Sequence, residues 1–405
     1  MHATEIREQE MRKIMMASAA MAMALAATTA SAEIKLGVIM GFTGPIESLT
    51  PGMAAGAEQA MKEVTDSGML LDGETVTPVR GDSTCVDAAA ATAAAERLIT
   101  SDGVAAIVGA DCSGVTTAIA NNVAVPNGVV MVSPSATSPA LTTIDDNGYF
   151  FRVAPSDARQ GQVLASIVKE RGVKSVAISY TNNDYGKGLA DAFSSSFTGM
   201  GGKVEITAAH EDGKGDYSAE VAALAAASAD ALVVFGYVDQ GGKGIIQTSL
   251  DTGAYSMFFM ADGMVGQSLI DAIGDGLTGS VATLPGSDTP GAAKFLAISK
   301  AAGNDGDGPF RGESYDAAAL IMLAIQAAGT PDRAAIQAKL LDVANAPGER
   351  IYPGELGKAL KILASGGEVD YVGASNVELT EIGEASGSYK ELEVRDGKFA
   401  TLSIR

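Results

Sequence analysis

Three strand-like runs of this 405-residue chain end in short polar stretches, and those ends hold the residues best able to do chemistry. VAAIVGAD closes on Ala110-Asp111-Cys112-Ser113, VVMVSPS on Ser133-Pro134-Ser135-Ala136-Thr137, and SMFFMADG on Met260-Ala261-Asp262-Gly263. Ser113 opens a helical stretch reaching about Asn122. A helix start offers unpaired N–H groups and partial positive charge, and the serine adds a hydroxyl donor, so this end is a seat for a carboxylate. Pro134 and Pro139 restrict the loop between them, which presents Ser135 and Thr137 with little ordering cost on binding. Asp262 has no basic neighbour in sequence and can accept an ammonium group, while Tyr185 can close over a ligand from the same side. Taken singly, Ser113 reads as an N-cap, SPSATSP as a turn and Asp262-Gly263 as a turn former. Taken together they describe a cleft for a zwitterion.

Catalytic chemistry lacks the residues it needs. Beyond residue 32 the chain has one histidine, His210 in AAHEDGKGD, which reads as a surface residue beside acids, with no nucleophile elbow near it. GDGLTG at 274–279 matches G-x-G-x-x-G but follows a helix and precedes a strand, the reverse of a dinucleotide site. NDGDGP at 304–309 resembles a calcium loop, yet Pro309 occupies a ligand position and the closing Glu is missing. There is no Walker phosphate loop. The chain therefore reads as a non-enzyme with no cofactor and no metal. Cys85 and Cys112 read as a disulfide worth roughly 3–4 kcal/mol, with a free-thiol pair as the alternative.

The elements that must position these residues follow an export leader. Arg12 and Lys13 precede an apolar run to about Thr28, and Ala30-Ser31-Ala32 supplies the cleavage pattern, so residues 1–32 read as a signal peptide with Met1 or Met11 as the start. No later run is long enough to span a membrane. The leader's three acids and three bases cancel, leaving the net charge of −21 on the mature chain, a surface that argues against nucleic-acid and anionic-lipid partners. From Glu33 apolar strands alternate with Ala-rich helices, the rhythm of parallel α/β layers, and after FFRVAPSD the series restarts. The fold class is α/β, with two Rossmann-like lobes carrying parallel sheets. The stretch NVELTEIGEASGSYKELEVRDGKFATLSI alternates like antiparallel strands.

The stretches LGVIMGFTGPIES, GDSTCVDAAAA, GADCSGVT, VVMVSPSATSPALT, NDYGKGLADAF, FMADGMVGQSLI and SYDAAALIMLAIQ, in this order, make the chain similar to the periplasmic binding proteins of branched-chain amino acid ABC transporters. That resemblance implies the type I fold, in which three crossovers, here near Arg152, Leu284 and Tyr371, join lobes that close on a ligand. The first lobe would comprise 33–152 with 284–370, and the second 153–283 with 371–405. It further implies that Ser113, Ser135, Ala136 and Thr137 hold the head of an amino acid from the first lobe, with Tyr185 and Asp262 from the second, and that Cys85 and Cys112 match a family disulfide. Tyr237 lies near a family tyrosine, Phe310 aligns with an aromatic pocket residue, and Leu49 stands where well-known members have an aromatic. Asp262 replaces a common Glu that is one methylene longer. The implied partners are a small amino acid, apolar and most simply branched-chain, and an inner-membrane permease that receives it from a monomeric periplasmic protein. The alternative is a sensor on the same fold for an amide, urea or an aromatic acid.

Overall fold

The computed structural model describes residues 33–304 and 308–405; the leader and part of the NDGDGP loop lie outside them. Five strands form the first sheet: β1 (Glu33–Met40), β2 (Thr75–Asp82), β3 (Ala106–Gly109), β4 (Met131–Ser133) and β5 (Phe150–Arg152), in the order β2-β1-β3-β4-β5. β1 pairs with β3, β3 with β4 and β4 with β5, all parallel. The second sheet uses β6 (Ser175–Thr181), β7 (Lys203–His210), β8 (Ala231–Phe235), β9 (Phe258–Met260) and β10 (Val281–Pro285). Two small strands, β11 (Glu349–Ile351) and β12 (Val369–Tyr371), pair parallel with each other, and β13 (Tyr389–Arg395) and β14 (Lys398–Ile404) complete the second sheet. Its order is β14-β13-β10-β9-β8-β6-β7.

The inner strands are apolar throughout because helices cover both sheet faces. β3 (AIVG) and β8 (ALVVF) are buried at every position. Local signals start the helices between them. Asp87 accepts from the Ala89 and Ala90 amides, Ser156 from Ala158 and Asn183 from Gly186, each satisfying donors that a helix start leaves open.

The chain passes between the two sheets three times. It leaves β5 for the helix Asp157–Glu170, which leads to β6. After β10 it returns through helices Pro290–Ala301 and Arg311–Ala328, the latter packed on Thr50–Ser67 and against β3 and β4. After β12 it crosses again to β13. This last passage is pinned by the buried Asp316, whose carboxylate accepts from Tyr371 Oη (2.8 Å), Ala374 N (2.8 Å), Ser375 N (2.7 Å) and Ser375 Oγ (2.6 Å). Arg152, fully buried at the first passage, donates to Glu384 Oε1 at 2.6 Å and so ties the first passage to the third.

Two sequence expectations change here. The antiparallel alternation read from residue 376 becomes a strand pair only at β13 and β14; the Gly- and Ser-rich stretch before them makes two isolated bridges, Arg152–Glu384 and Leu379–Ala385. His210 is not a surface residue. It ends β7 at 1% exposure, its Nδ1 lies 2.8 Å from Ser179 Oγ, and Tyr217 packs edge-on over the ring at 6.4 Å. The loop after β7 folds back over the strand end, which is why neighbouring acids in sequence did not place the ring in water. Burial lowers its pKa to about 4.

Candidate ligand cleft

The strand ends converge on one cavity. Asp111, Cys112 and Ser113 follow β3, Ser135 follows β4, and Tyr185, Tyr237, Asp262 and Gly263 follow β6, β8 and β9; all of them line it. Ile46, Leu49 and Met53, from the turn after β1 and the helix Thr50–Ser67, add an apolar wall that Phe310 completes. Seven of the nine sequence-selected residues thus share one surface: Ser113, Ser135, Tyr185, Tyr237, Asp262, Leu49 and Phe310. Ala136 and Thr137 do not line it. The space measures about 30 Å³, the room of about one or two water molecules.

The SPSATSP loop explains the difference. Ser133 Oγ donates to Ala110 O (2.5 Å) and accepts from Ala136 N (2.9 Å), curling the loop back onto the end of β3. Ser135 Oγ donates to Asp111 O at 3.0 Å, and Ser113 Oγ accepts the Ser138 amide at 3.1 Å, leaving the Ser113 hydroxyl proton free for another acceptor. Behind the loop, Arg152 Nη1 donates to Ala136 O (3.2 Å) and Ser138 O (2.8 Å). The Ser135 hydroxyl that the sequence offered to a ligand therefore builds the loop itself, together with Ser133 and the oxygen of Ser113. Cys85 and Cys112 form the disulfide, with Cα atoms 5.2 Å apart, and fasten the start of helix Ser113–Ile119 to the loop after β2.

On the opposite side the rings of Tyr185 and Tyr237 stack at 5.3 Å. Tyr185 Oη lies 3.5 Å from Asp262 Oδ1 and accepts the Gly263 amide at 3.1 Å. Only glycine fits at 263, where a Cβ would stand 2.6 Å from Gly236 O and 2.8 Å from Tyr185 Oη. Asp262 is 3% exposed, and burial raises its pKa to about 7, with the Gln160 amide and the Tyr185 hydroxyl drawing it partly back.

The residues that sequence reasoning missed lie just behind this wall. Asp157 is completely buried at the start of the helix Asp157–Glu170, and neither carboxylate oxygen has a hydrogen-bond partner. Its pKa is pushed well above the carboxylate range, first by burial and then by the charge of Asp262; the charge of Arg152 offsets this in part. Thr137 Oγ1 and Gln160 Oε1 are also buried without partners, although the Gln160 nitrogen donates to Thr283 O and Oγ1 at 3.2 and 3.1 Å. Among the described residues, two acids and two oxygens without partners make a region whose negative charge Arg152 offsets only in part. The available signal, Ser156-Asp157 opening a helix, is the same one that any N-cap gives. Asp111, a strand end noted in the sequence, is structural: its carboxylate accepts from Gly41 N (2.7 Å), Cys112 N (2.9 Å) and Ser83 Oγ (3.1 Å).

A family model described as periplasmic binding protein matches residues 33–350. The chain belongs to this family. A Leu/Ile/Val-binding protein homolog of Brucella melitensis is 31% identical to the binding protein over 322 residues, covering 78% of this chain and 84% of the relative. The leucine-, isoleucine-, valine-, threonine- and alanine-binding protein of Pseudomonas aeruginosa is 30% identical over 309 residues, 75% of this chain and 80% of its own. Among solved structures, a leucine binding protein from Thermotoga maritima superposes with a TM-score of 0.77 at 26% identity, over 92% of this chain and 98% of that one. A Rhodopseudomonas palustris solute binding protein in complex with 4-hydroxybenzoate shares the fold, with a TM-score of 0.74 at 21% identity, over 92% and 97%. Among the described residues, no helix of the binding protein is long and apolar enough to cross a membrane, and no group of side chains is suited to a metal ion.

Proposed function

We propose that the protein captures an amino acid with an apolar, most simply branched, side chain between two closing lobes and delivers it to the permease of an ABC transporter. The observation that carries this reading is the asymmetry of the cleft. Asp262 is buried with no cation acting on it among the described residues, and Asp157 behind it adds a second acid that Arg152 offsets only in part, whereas Ser113 opens a helix on the other side with its hydroxyl proton free. An α-ammonium answers the first feature and an α-carboxylate the second. Ile46, Leu49, Met53 and Phe310 form the apolar wall that receives the side chain. Relatives whose names specify leucine, isoleucine and valine support the same ligand class.

The three passages between the sheets, near Arg152, Leu284 and Tyr371, serve as the hinge. With about 30 Å³ available, an amino acid enters only when the lobes part, and closure follows because only the closed form lets both lobes contact it. A carboxylic acid lacking an amino group suits the site poorly, since it brings a second negative charge beside Asp262. An amide or urea is the second reading, favoured by the raised pKa of Asp262, since a protonated carboxyl can donate to a carbonyl oxygen.

Calorimetry with L-leucine, L-isoleucine, L-valine, 4-hydroxybenzoate and urea tests the proposal. The expected order has the three amino acids binding and the other two not. Asp262→Ala weakens leucine binding by at least about a hundredfold, because a desolvated ammonium loses its charged partner. Unchanged affinity in that variant removes Asp262 from the site, and binding of the aromatic acid or urea alone overturns the amino acid reading.

A further inference from the structure

At the rim of the cleft, outside the cavity wall, one carboxylate bridges the lobes. Asp239 lies four residues beyond the end of β8, in the second lobe. Its Oδ2 accepts the Ser48 amide at 2.9 Å, and its own amide donates to Pro45 O at 3.0 Å, so two bonds run to the turn after β1 in the first lobe. Its Oδ1 accepts the Ser268 hydroxyl at 3.0 Å, and Ser268 Oγ is in turn 3.0 Å from Ser48 Oγ. The result is a closed ring of hydrogen bonds, Ser48 to Asp239 to Ser268 and back, anchored by residues 191 and 220 positions apart in the chain.

We infer that Asp239 is a positioning residue for ligand retention: it clasps the turn 45–48 when the lobes close, and so sets the aim of Ile46 and Leu49 over the cleft. This role rests on the closing-lobe reading above and on the neighbours of the clasp. Ile46 and Leu49 flank its two first-lobe contacts and line the cavity, while Tyr237, two residues before Asp239, lines it from the other side. The clasp therefore joins two walls of the pocket through residues that do not line it. Its bonds exist only when the two lobes meet, so they contribute to the closed form and nothing to the open one. Such contacts slow release more than they speed capture.

The test has two arms. First, Ser48→Cys with Ser268→Cys is oxidised both without amino acid and with saturating L-leucine. The 3.0 Å separation of the two hydroxyl oxygens predicts a cross-link, whose rate drops when Asp239→Ala is added. Second, L-leucine dissociation is followed by stopped-flow on an extrinsic dye. Asp239→Ala speeds release about tenfold, with the association rate and the ligand-free melting temperature little changed. Asp239→Asn, which keeps an acceptor for the Ser48 amide and a group facing Ser268, recovers to within about threefold of wild type. Failure of the double-cysteine protein to cross-link overturns the clasp, as does an Asp239→Ala release rate equal to wild type in a protein that binds leucine. If the cross-link forms but wild type binds no leucine, the ligand assignment falls while the clasp stands.

Discussion

Asp262 occupies a place that suits an ionised carboxyl badly until a cation arrives. Buried and facing Asp157, it has a pKa raised from 3.8 to about 7, so ionising it in the ligand-free protein at about pH 8 costs on the order of a few kcal/mol. Asp262→Asn removes that cost and keeps the shape. The variant is expected to melt a few degrees higher than wild type at about pH 8 without ligand, while losing leucine binding. An unchanged or lower melting temperature would mean that the protein already satisfies the carboxylate. The sequence made Asp262 legible because it ends an apolar run at a strand terminus, and the same logic located Ser113 and Ser135, whereas Tyr237 came from the family resemblance. It could not reveal Asp157, whose importance comes from facing Asp262 across a sheet-to-helix junction. Nor could it reveal Asp239, whose partner Ser48 is 191 residues away.

At the scale of elements, the proposed closure would depend on the fit between the SPSATSP loop and the helix Asp184–Gly199. Ser138 Oγ donates to Asp184 O at 2.9 Å, and one turn on, a Cβ on Gly188 would meet Pro139 Cδ at 2.8 Å and Ser138 Oγ at 3.2 Å. Gly188→Ala therefore has opposite effects on the two forms. It favours the helix by up to about 1 kcal/mol wherever the lobes are apart, and it holds the proline ring off when they meet. The expected result is a ligand-free melting temperature equal to or above wild type, together with leucine binding weakened several-fold; an unchanged dissociation constant would show that the two elements do not meet in the bound protein. Strands and helices themselves were plain in the sequence, because continuous apolar runs such as ALVVF have only one home in a covered parallel sheet. The loop was legible as rigid, but not as self-satisfied. Whether Ser133 and Ser135 face a ligand or the backbone at Ala110 and Asp111 depends on the curl of residues 133–138, which no spacing encodes.

For the whole molecule, buried titratable groups and net charge combine into one pH profile. Asp262 and Glu313, each raised to about 7 by burial, hold protons in the folded state that the unfolded chain has already released above about pH 4. Their contribution to stability is full below the unfolded pKa and is lost as pH rises through 7. His210, lowered to about 4, acts the other way: the unfolded chain binds its proton below about pH 6.5, so stability is lost as pH falls from there toward 4. Between about pH 8 and pH 6 the two acids dominate, and protonation also relieves the self-repulsion of a chain carrying −21. The ligand-free protein is therefore expected to melt higher at about pH 6 than at about pH 8. On the proposed reading, bound leucine reverses the sense at Asp262, since its ammonium needs the ionised carboxylate, so the increment in melting temperature from saturating leucine should grow from pH 6 to pH 8. Differential scanning calorimetry at both pH values, with and without leucine, separates the terms. In Asp262→Asn the ligand-free slope should flatten, leaving Asp157, Glu313 and the net charge to supply the rest. A ligand-free melting temperature that falls between pH 8 and pH 6 would place His210, rather than the cleft acids, in control of the molecule's response to pH.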